Sequence, residues 1–246
     1  MRAAFDTIPQ SAVVDLMSTI LQASSYRICK HAEIRPGDTK YLGEVGHAKS
    51  KPIRKWVSLA SSTSSLDPFQ WKLEESFAVG KANTVFVESI VNHFRDSNEL
   101  LSLLAEHVQR NLVKIGKKFY RQSNGIPQGS ILSSLLCSYF YADLEDHHLA
   151  FLKSGESVLL RLIDDFLLIT TEAHHAKRFL QIMHDGLPDY GVSVNPDKTL
   201  VNFEVLVNGQ KVPRLVDSRC FPYCGSFIDM KTLNITKDRE RRKDMG

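Results

Sequence analysis

The sequence predicts an α+β domain built on an antiparallel sheet, and three observations carry that prediction. The segment ILSSLLCSYFYADLEDHHL places apolar residues at 131, 132, 135, 136, 139, 140 and 144, one stripe at helical spacing. Two short runs rich in Leu and Ile, VLLRLI and FLLIT, have strand length and are separated only by Asp164 and Asp165. The last third alternates short β-prone segments with the turn signals NPDK and NGQK, as hairpins do.

Bulk properties narrow the class. At 246 residues and 43% hydrophobic content the chain can bury a real core. Lys and Arg exceed Asp and Glu by a net charge of only +3, so any surface for a polyanion must be local. Cysteines at 29, 137, 220 and 224 form no CxxC pair and lack histidines at zinc-ligand spacing, which suits reduced thiols. No apolar run reaches the roughly 20 residues of a membrane span, so a soluble, intracellular protein with no membrane partner is expected.

In chain order, Thr7 and Pro9 open a helix over about 9–22, where IPQSAVVDLMSTILQ repeats apolar residues at helical spacing. From 30 to 80 the sequence is polar and interrupted, with Pro36-Gly37, Gly43, Gly46, Pro52 and SLASSTSSLDP, yet Trp56, Phe69 and Trp71 require packing. This reads as an insertion with short strands. Residues 84–114 return to helical periodicity. In KIGKKFYRQSNGIPQGS, Lys114, Lys117, Lys118 and Arg121 crowd beside Phe119 and Tyr120, which suits a phosphate backbone, although such a cluster taken alone is more often an ordinary solvated strand end. The segment ILSSLLCSYFYADLEDHHL, 131–149, reads as a buried helix that starts behind Gly129-Ser130. A further helix is expected over about 173–187.

The Asp164-Asp165 pair carries the chemistry. Aspartates at a hairpin tip satisfy ordinary turn requirements. Apolar strands on both sides, however, bring two like charges to the edge of a buried sheet, where a hard cation such as Mg²⁺ is the natural compensator. Successive strand residues point to opposite faces, so a third carboxylate from another strand is expected to complete such a site.

SNGIPQGSILSSLLCSYFYADLE followed by LLRLIDDFLLIT resembles the B and C motifs of telomerase reverse transcriptases, and MRAAFDTIPQ resembles the end of their A motif. YGVSVNPDKTLVNF is similar to the D motif and YCGSFIDM to the E motif, or primer grip, in the family's order. The resemblance implies a reverse-transcriptase palm with an antiparallel sheet and packed helices, plus part of a fingers insertion. By residue number, 1–29 would hold the end of the motif A strand and the next helix, 30–110 the insertion, and 111–246 motifs B to E. The long interval from Phe5 to Gly125 fits this family better than retroviral enzymes.

The resemblance also implies site residues. Asp164 and Asp165 would hold metal, two Mg²⁺ ions serving the complete enzyme. Lys198 would protonate pyrophosphate, unless it is a solvated turn lysine. Phe5 would lie under the incoming sugar, unless it is a core aromatic, and Gln128 and Gly129 would lie against nucleotide and template. Cys224 and Gly225 would form the primer grip. Implied partners are telomerase RNA, a telomeric single-stranded DNA primer and deoxynucleoside triphosphates, in a nuclear ribonucleoprotein at telomeres. Alternatives are a retroelement or intron-type reverse transcriptase, and a non-catalytic nucleic-acid-binding chain.

The A-motif aspartate of the family would fall immediately before Met1. Asp6 follows the aromatic and is expected to be a capping or structural residue. The tail KDRERRKDMG stands where the family's thumb would begin. A palm fragment, inactive by itself, is therefore expected.

Overall fold

Ala4–Thr7 form a single helical turn, α1, in which Ile8 N and the Thr7 hydroxyl both donate to the Ala4 carbonyl at 3.3 Å. The strand expected around Phe5 is thus corrected: local bonds back to one carbonyl close a turn where strand pairing was expected. Pro9 has no N–H to give, and its carbonyl accepts from Val13 N as α2 (Gln10–Ile20) begins. The computed structural model describes residues 4–37, 39–41, 47–49, 51–63, 67–89, 91–216 and 218–238. Gly43, Gly46, part of the serine run and the charged tail from 239 lie outside the described residues. The chain divides into two compact units, Met17–Ala105 and Met1–Leu16 with Glu106–Gly246.

The unit Met17–Ala105 is organised by β1 (Ser25–Arg35). A short hairpin, β2 (Thr39–Tyr41) with β3 (His47–Lys49), leads to β4 (Ile53–Ser62), which pairs antiparallel along β1 from Tyr26–Ser62 to Arg35–Ile53. Helix α3 (Pro68–Ala78) starts with Pro68 in its first turn, and the Asp67 carboxylate accepts from Phe69 N at 2.8 Å. The other edge of β1 carries two strands end to end, β5 (Val85–Glu88) and β6 (His93–Asp96). Helical periodicity from residue 84 is therefore corrected. TVFVE has the β-branched and aromatic content of a strand, and the helix α4 (Ser97–Gln109) begins where Asp96 accepts from Asn98 N at 2.8 Å.

One face of β1 buries Cys29, His31 and Glu33. The His31 ring lies 5.5 Å from Phe69 and 6.1 Å from Phe86. Lys81 Nζ reaches both Glu33 oxygens, at 3.2 and 3.3 Å, so the buried carboxylate is paired.

The other unit contains β7 (Leu112–Ile115) and β8 (Lys118–Arg121), then the long α5 (Ile131–His148). Helix α5 buries Ser133, Leu136, Cys137, Phe140, Tyr141 and Leu144, while Ile131, Leu135 and Tyr139 are exposed. The predicted stripe is thus half right: the helix is apolar on two sides, and periodicity alone did not say which side packs. Strands β9 (Ser157–Leu162) and β10 (Asp165–Thr170) pair as an antiparallel hairpin, and α6 (Ala173–Asp185) follows with Leu180 in a cluster with Val201, Val207 and Val212.

After a single 3-10 turn at Pro196–Lys198, β11 (Leu206–Val207) and β12 (Gln210–Lys211) join through Asn208-Gly209, both at positive φ, as a type I′ turn requires. A final sheet orders β13 (Cys220–Tyr223), β14 (Ser226–Asp229) and β15 (Ile235–Lys237), and Pro222 is tolerated because β13 is an edge.

Candidate active site

The β9–β10 hairpin turns through Ile163 and Asp164, with Leu162 opposite Asp165. Ile163 has φ +58, a left-handed value that a β-branched residue adopts only under constraint from its surroundings. Arg161 supplies that constraint. Its Nη1 donates to the Ile163 carbonyl at 3.1 Å, its Nη2 to the Ser138 carbonyl at 3.1 Å, and its Nε to Glu145. The guanidinium also lies 5.7 Å from the Tyr141 ring and 5.9 Å from Phe166. One side chain, 12% exposed, thereby ties the tip of the hairpin to α5. Burial pushes the neighbouring Cys137 thiol up to about 11, with Arg161 opposing and Asp164 adding to the shift. The Tyr141 hydroxyl is driven above the usual phenol range, again mainly by burial.

A second grip comes from the β13–β14 turn. The Tyr223 hydroxyl donates to the Asp165 carbonyl at 2.9 Å, and Cys224 Sγ donates to Asp165 Oδ2 at 3.6 Å. Burial pushes the Tyr223 phenol up to about 12, with Cys224 reinforcing the shift. Cys224 and Gly225 make this turn with φ +47 and +73. The next wall is the Pro196–Lys198 turn, held by Asn195, whose side chain accepts from Asp197 N at 3.2 Å.

These walls enclose a cleft of about 620 Å³ lined by Asp164, Asp165, Lys198, Thr199, Tyr223 and Cys224 at its polar end. Its apolar end is lined by Phe179, Leu180, Met183 and Phe203. Asp164 is half-buried, while Asp165 and Lys198 are exposed. The arrangement sets two carboxylates and one ammonium on a shared opening, a charge pattern suited to a phosphate-bearing substrate neutralised by a cation. No group of three His, Cys, Asp or Glu that could hold a metal occurs among the described residues, so Asp164 and Asp165 offer part of a ligand set here.

Phe5, Gln128 and Gly129 do not line this cleft. The segments that carry Phe5 and Gln128, 5–10 and 125–128, bond to each other instead. Ile126 N donates to the Phe5 carbonyl at 2.7 Å, Gln128 Nε2 to Asp6 Oδ1 at 2.8 Å, and Gln10 Nε2 to the Gly125 carbonyl at 2.9 Å. Asp6 is thus the structural residue expected of it. Gly129 has φ +83, a left-handed turn angle, and beyond its chain neighbours no described protein atom stands within 4 Å of where its Cβ would lie. Close approach falls on Gly125, where a Cβ would stand 2.3 Å from the Phe5 carbonyl oxygen, and on Gly191, where it would stand 2.0 Å from that of Thr7. Phe5 to Ile8 run between these two glycines.

Sequence reasoning missed Gly125, Gly191, Arg161 and Tyr223. Arg161 carried a signal, being the only charge inside VLLRLI, where an ionised group must find partners. The glycines carried none, because the backbones they admit are distant in sequence.

The family model described as reverse transcriptase (RNA-dependent DNA polymerase) matches residues 72–226, more than half of the chain. The chain is 35% identical over 240 residues to the telomerase reverse transcriptase of Rattus norvegicus, covering 96% of this chain and 21% of that protein. It is 38% identical over 244 residues to that of Oryzias latipes, covering 96% and 22%. It therefore spans about a fifth of the length of these curated relatives. The structure of apo telomerase from Candida tropicalis superposes with a TM-score of 0.59 at 20% identity, over 98% of this chain and 32% of that one, which supports the fold. Starting within α3, the family match runs through the GIPQG loop and the aspartate hairpin to the first residue of β14, and the chain belongs to the reverse transcriptase family, with a palm-type domain and telomerase reverse transcriptases among its relatives.

Proposed function

We propose that this chain is the palm of a telomerase-type enzyme that copies an RNA template onto a telomeric 3′ end, with Met17–Ala105 contributing part of a fingers insertion. The observation that carries the reading is the convergence of Asp164, Asp165, Lys198 and Cys224 on one cleft from three separate sequence motifs. Similarity to telomerase reverse transcriptases over almost all of the chain supports it.

In the proposed reaction the 3′-hydroxyl of the primer attacks the α-phosphorus of a deoxynucleoside triphosphate, one P–O bond forms, and the bond to pyrophosphate breaks. Asp164 and Asp165 offer hard oxygen ligands of the kind Mg²⁺ takes, and they make up part of a ligand set. When bound, two such ions would lower the charge on the attacking and leaving oxygens. Lys198, across the opening, donates a proton to the departing pyrophosphate. The turn of Cys224 and Gly225 orients the primer end. Phe5 excludes a ribose 2′-hydroxyl by contact, and Gln128 and Gly129, fixed through Asp6, set the loop against nucleotide and template. The setting is a nuclear ribonucleoprotein with telomerase RNA.

Primer extension by the full-length protein that contains these residues tests the reading. Asp164→Asn should lower the extension rate by at least a thousandfold while circular dichroism and Tm stay near wild type. Extension at the wild-type rate would remove Asp164 from the chemistry.

A further inference from the structure

Elsewhere in the same unit, the geometry points to a second nucleic-acid contact: we propose that the β7–β8 hairpin is a docking surface for a single strand, held by phosphate contacts and by base stacking on Phe119. The inference deepens the polymerase reading by placing one of its strands, and its test does not require catalysis.

Charge is the first argument. From His107 through Ala142 the chain carries Arg110, Lys114, Lys117, Lys118 and Arg121 and no Asp or Glu. These are five of the 31 Lys and Arg of a chain whose net charge is only +3, so the rest of the molecule is net negative. Among the described residues none of the five makes a salt bridge, whereas Arg161, Lys153 and Arg214 of the same unit all do. Uncompensated cations on one short element attract a polyanion, and binding releases its counterions.

Shape is the second. All eight residues of the two strands are exposed, including Phe119 at 68% and Leu112 at 68%. The register sets Lys114 opposite Phe119 and Leu112 opposite Arg121, so alternation places Lys114, Phe119 and Arg121 on one face. Lys114 Nζ lies 5.7 Å from the Phe119 ring centroid. This face leads at Arg121 into a hollow of about 550 Å³ that is also lined by Arg110, Gln10 and Asn124. An exposed ring beside cations offers a stacking platform to an unpaired base, which a duplex keeps inside its own stack. The opposite face, with Val113, Ile115, Lys118 and Tyr120, carries a single cation and serves as the internal control.

Fluorescence anisotropy of a labelled oligonucleotide of about 15 nucleotides, bound to the 246-residue chain across a salt series, tests the proposal. The combined variant Arg110→Gln, Lys114→Gln, Arg121→Gln should lower affinity at least tenfold and reduce the slope of log K against log salt by about 2. Phe119→Ala should weaken binding about tenfold. Tyr120→Ala and Lys118→Gln should change it less than threefold. DNA and RNA strands of one sequence should bind within a few fold of each other, and a duplex more weakly, because the contacts are to phosphates and base faces. Binding is measured without nucleotide and without catalysis, so a failed extension assay and a failed binding assay are read separately. Unchanged affinity and salt slope in the triple variant, with its Tm retained, would overturn the proposal, and so would equal losses from the two faces. A duplex bound as tightly as the single strand would refute the stacking role of Phe119.

Discussion

Two hairpins of one compact unit, β9–β10 and β7–β8, use the same antiparallel pairing and opposite strategies. The first places acidic groups at its tip and fixes them through its own Arg161, which reaches to α5, and through Tyr223 of β13. The second leaves every strand residue exposed and carries cations without ionic partners among the described residues. Position in the first comes from packing and directed hydrogen bonds. Attraction in the second needs only charge and an accessible ring. A site that moves atoms requires geometry held within fractions of an ångström, whereas a strand-holding surface tolerates mobile lysines.

Breaking the anchor of the first hairpin should have the largest effect on stability. Arg161→Met leaves Glu145 and two carbonyls without their donor, which we expect to cost about 3 kcal/mol in urea unfolding. Lys114→Met in the exposed hairpin should stay within about 0.5 kcal/mol. Equal costs at the two positions would erase the contrast. Ile163→Gly relieves the left-handed strain and should raise stability by about 1 kcal/mol, while the loosened tip lowers the extension rate in the full-length protein. A destabilised Gly variant would show that Ile163 is held mainly by its own packing.

Tyr223→Phe removes the hydroxyl that bonds the Asp165 carbonyl and should cost about 1 kcal/mol. Because Tyr223 acts through Asp165, the variant should lower kcat for nucleotide addition and leave the nucleotide KM unchanged, with Tyr223→Trp restoring little of the loss. A change confined to KM would assign Tyr223 to the substrate itself.

Strand β1 sharpens the comparison, since there the charges are taken inside. Burial holds the His31 pKa below its usual value against the pull of Glu33 and Glu88, and Lys72 and Lys81 add to the depression. Burial of Glu33 alone would raise its carboxyl, but the Lys81 bond, with Lys55 and Arg35, holds it below the ordinary range. Both depressed values mean that the unfolded chain binds more protons on acidification. Their stability is complete above the unfolded values and is lost as pH falls, from about 6.5 downward for His31 and from about 4.5 for Glu33. Tm should therefore decline between pH 7 and 5, and His31→Phe, which keeps the aromatic contacts, should flatten that decline. An identical slope in the variant would remove His31 as its cause.

Much of this was legible in the residues. The Asn208-Gly209 turn, the strand lengths around Asp164 and Asp165 and the helices over 131–148 and 173–185 follow from neighbours within a few positions. The misreadings have a common origin. TVFVE sat inside an apolar pattern that also fits a helix, and α5 is apolar on two sides, so period alone chose neither the element in one case nor the face in the other. At Phe5 the expected strand lost to bonds that Thr7 and Ile8 make with a carbonyl only a few residues away.

By itself the sequence determined the Asn208-Gly209 turn, the acidic tip between apolar strands and the local excess of cations, because turn chemistry and charge are short-range properties. Only the tertiary structure decided that Lys198 and Cys224 share a cleft with the two aspartates, that Gln128 answers to Asp6, and that Gly125 and Gly191 are the glycines with no room for a side chain. Those facts depend on where distant backbones pass each other. Such approaches are set by the packing of whole helices and strands, whose contacts no local periodicity encodes.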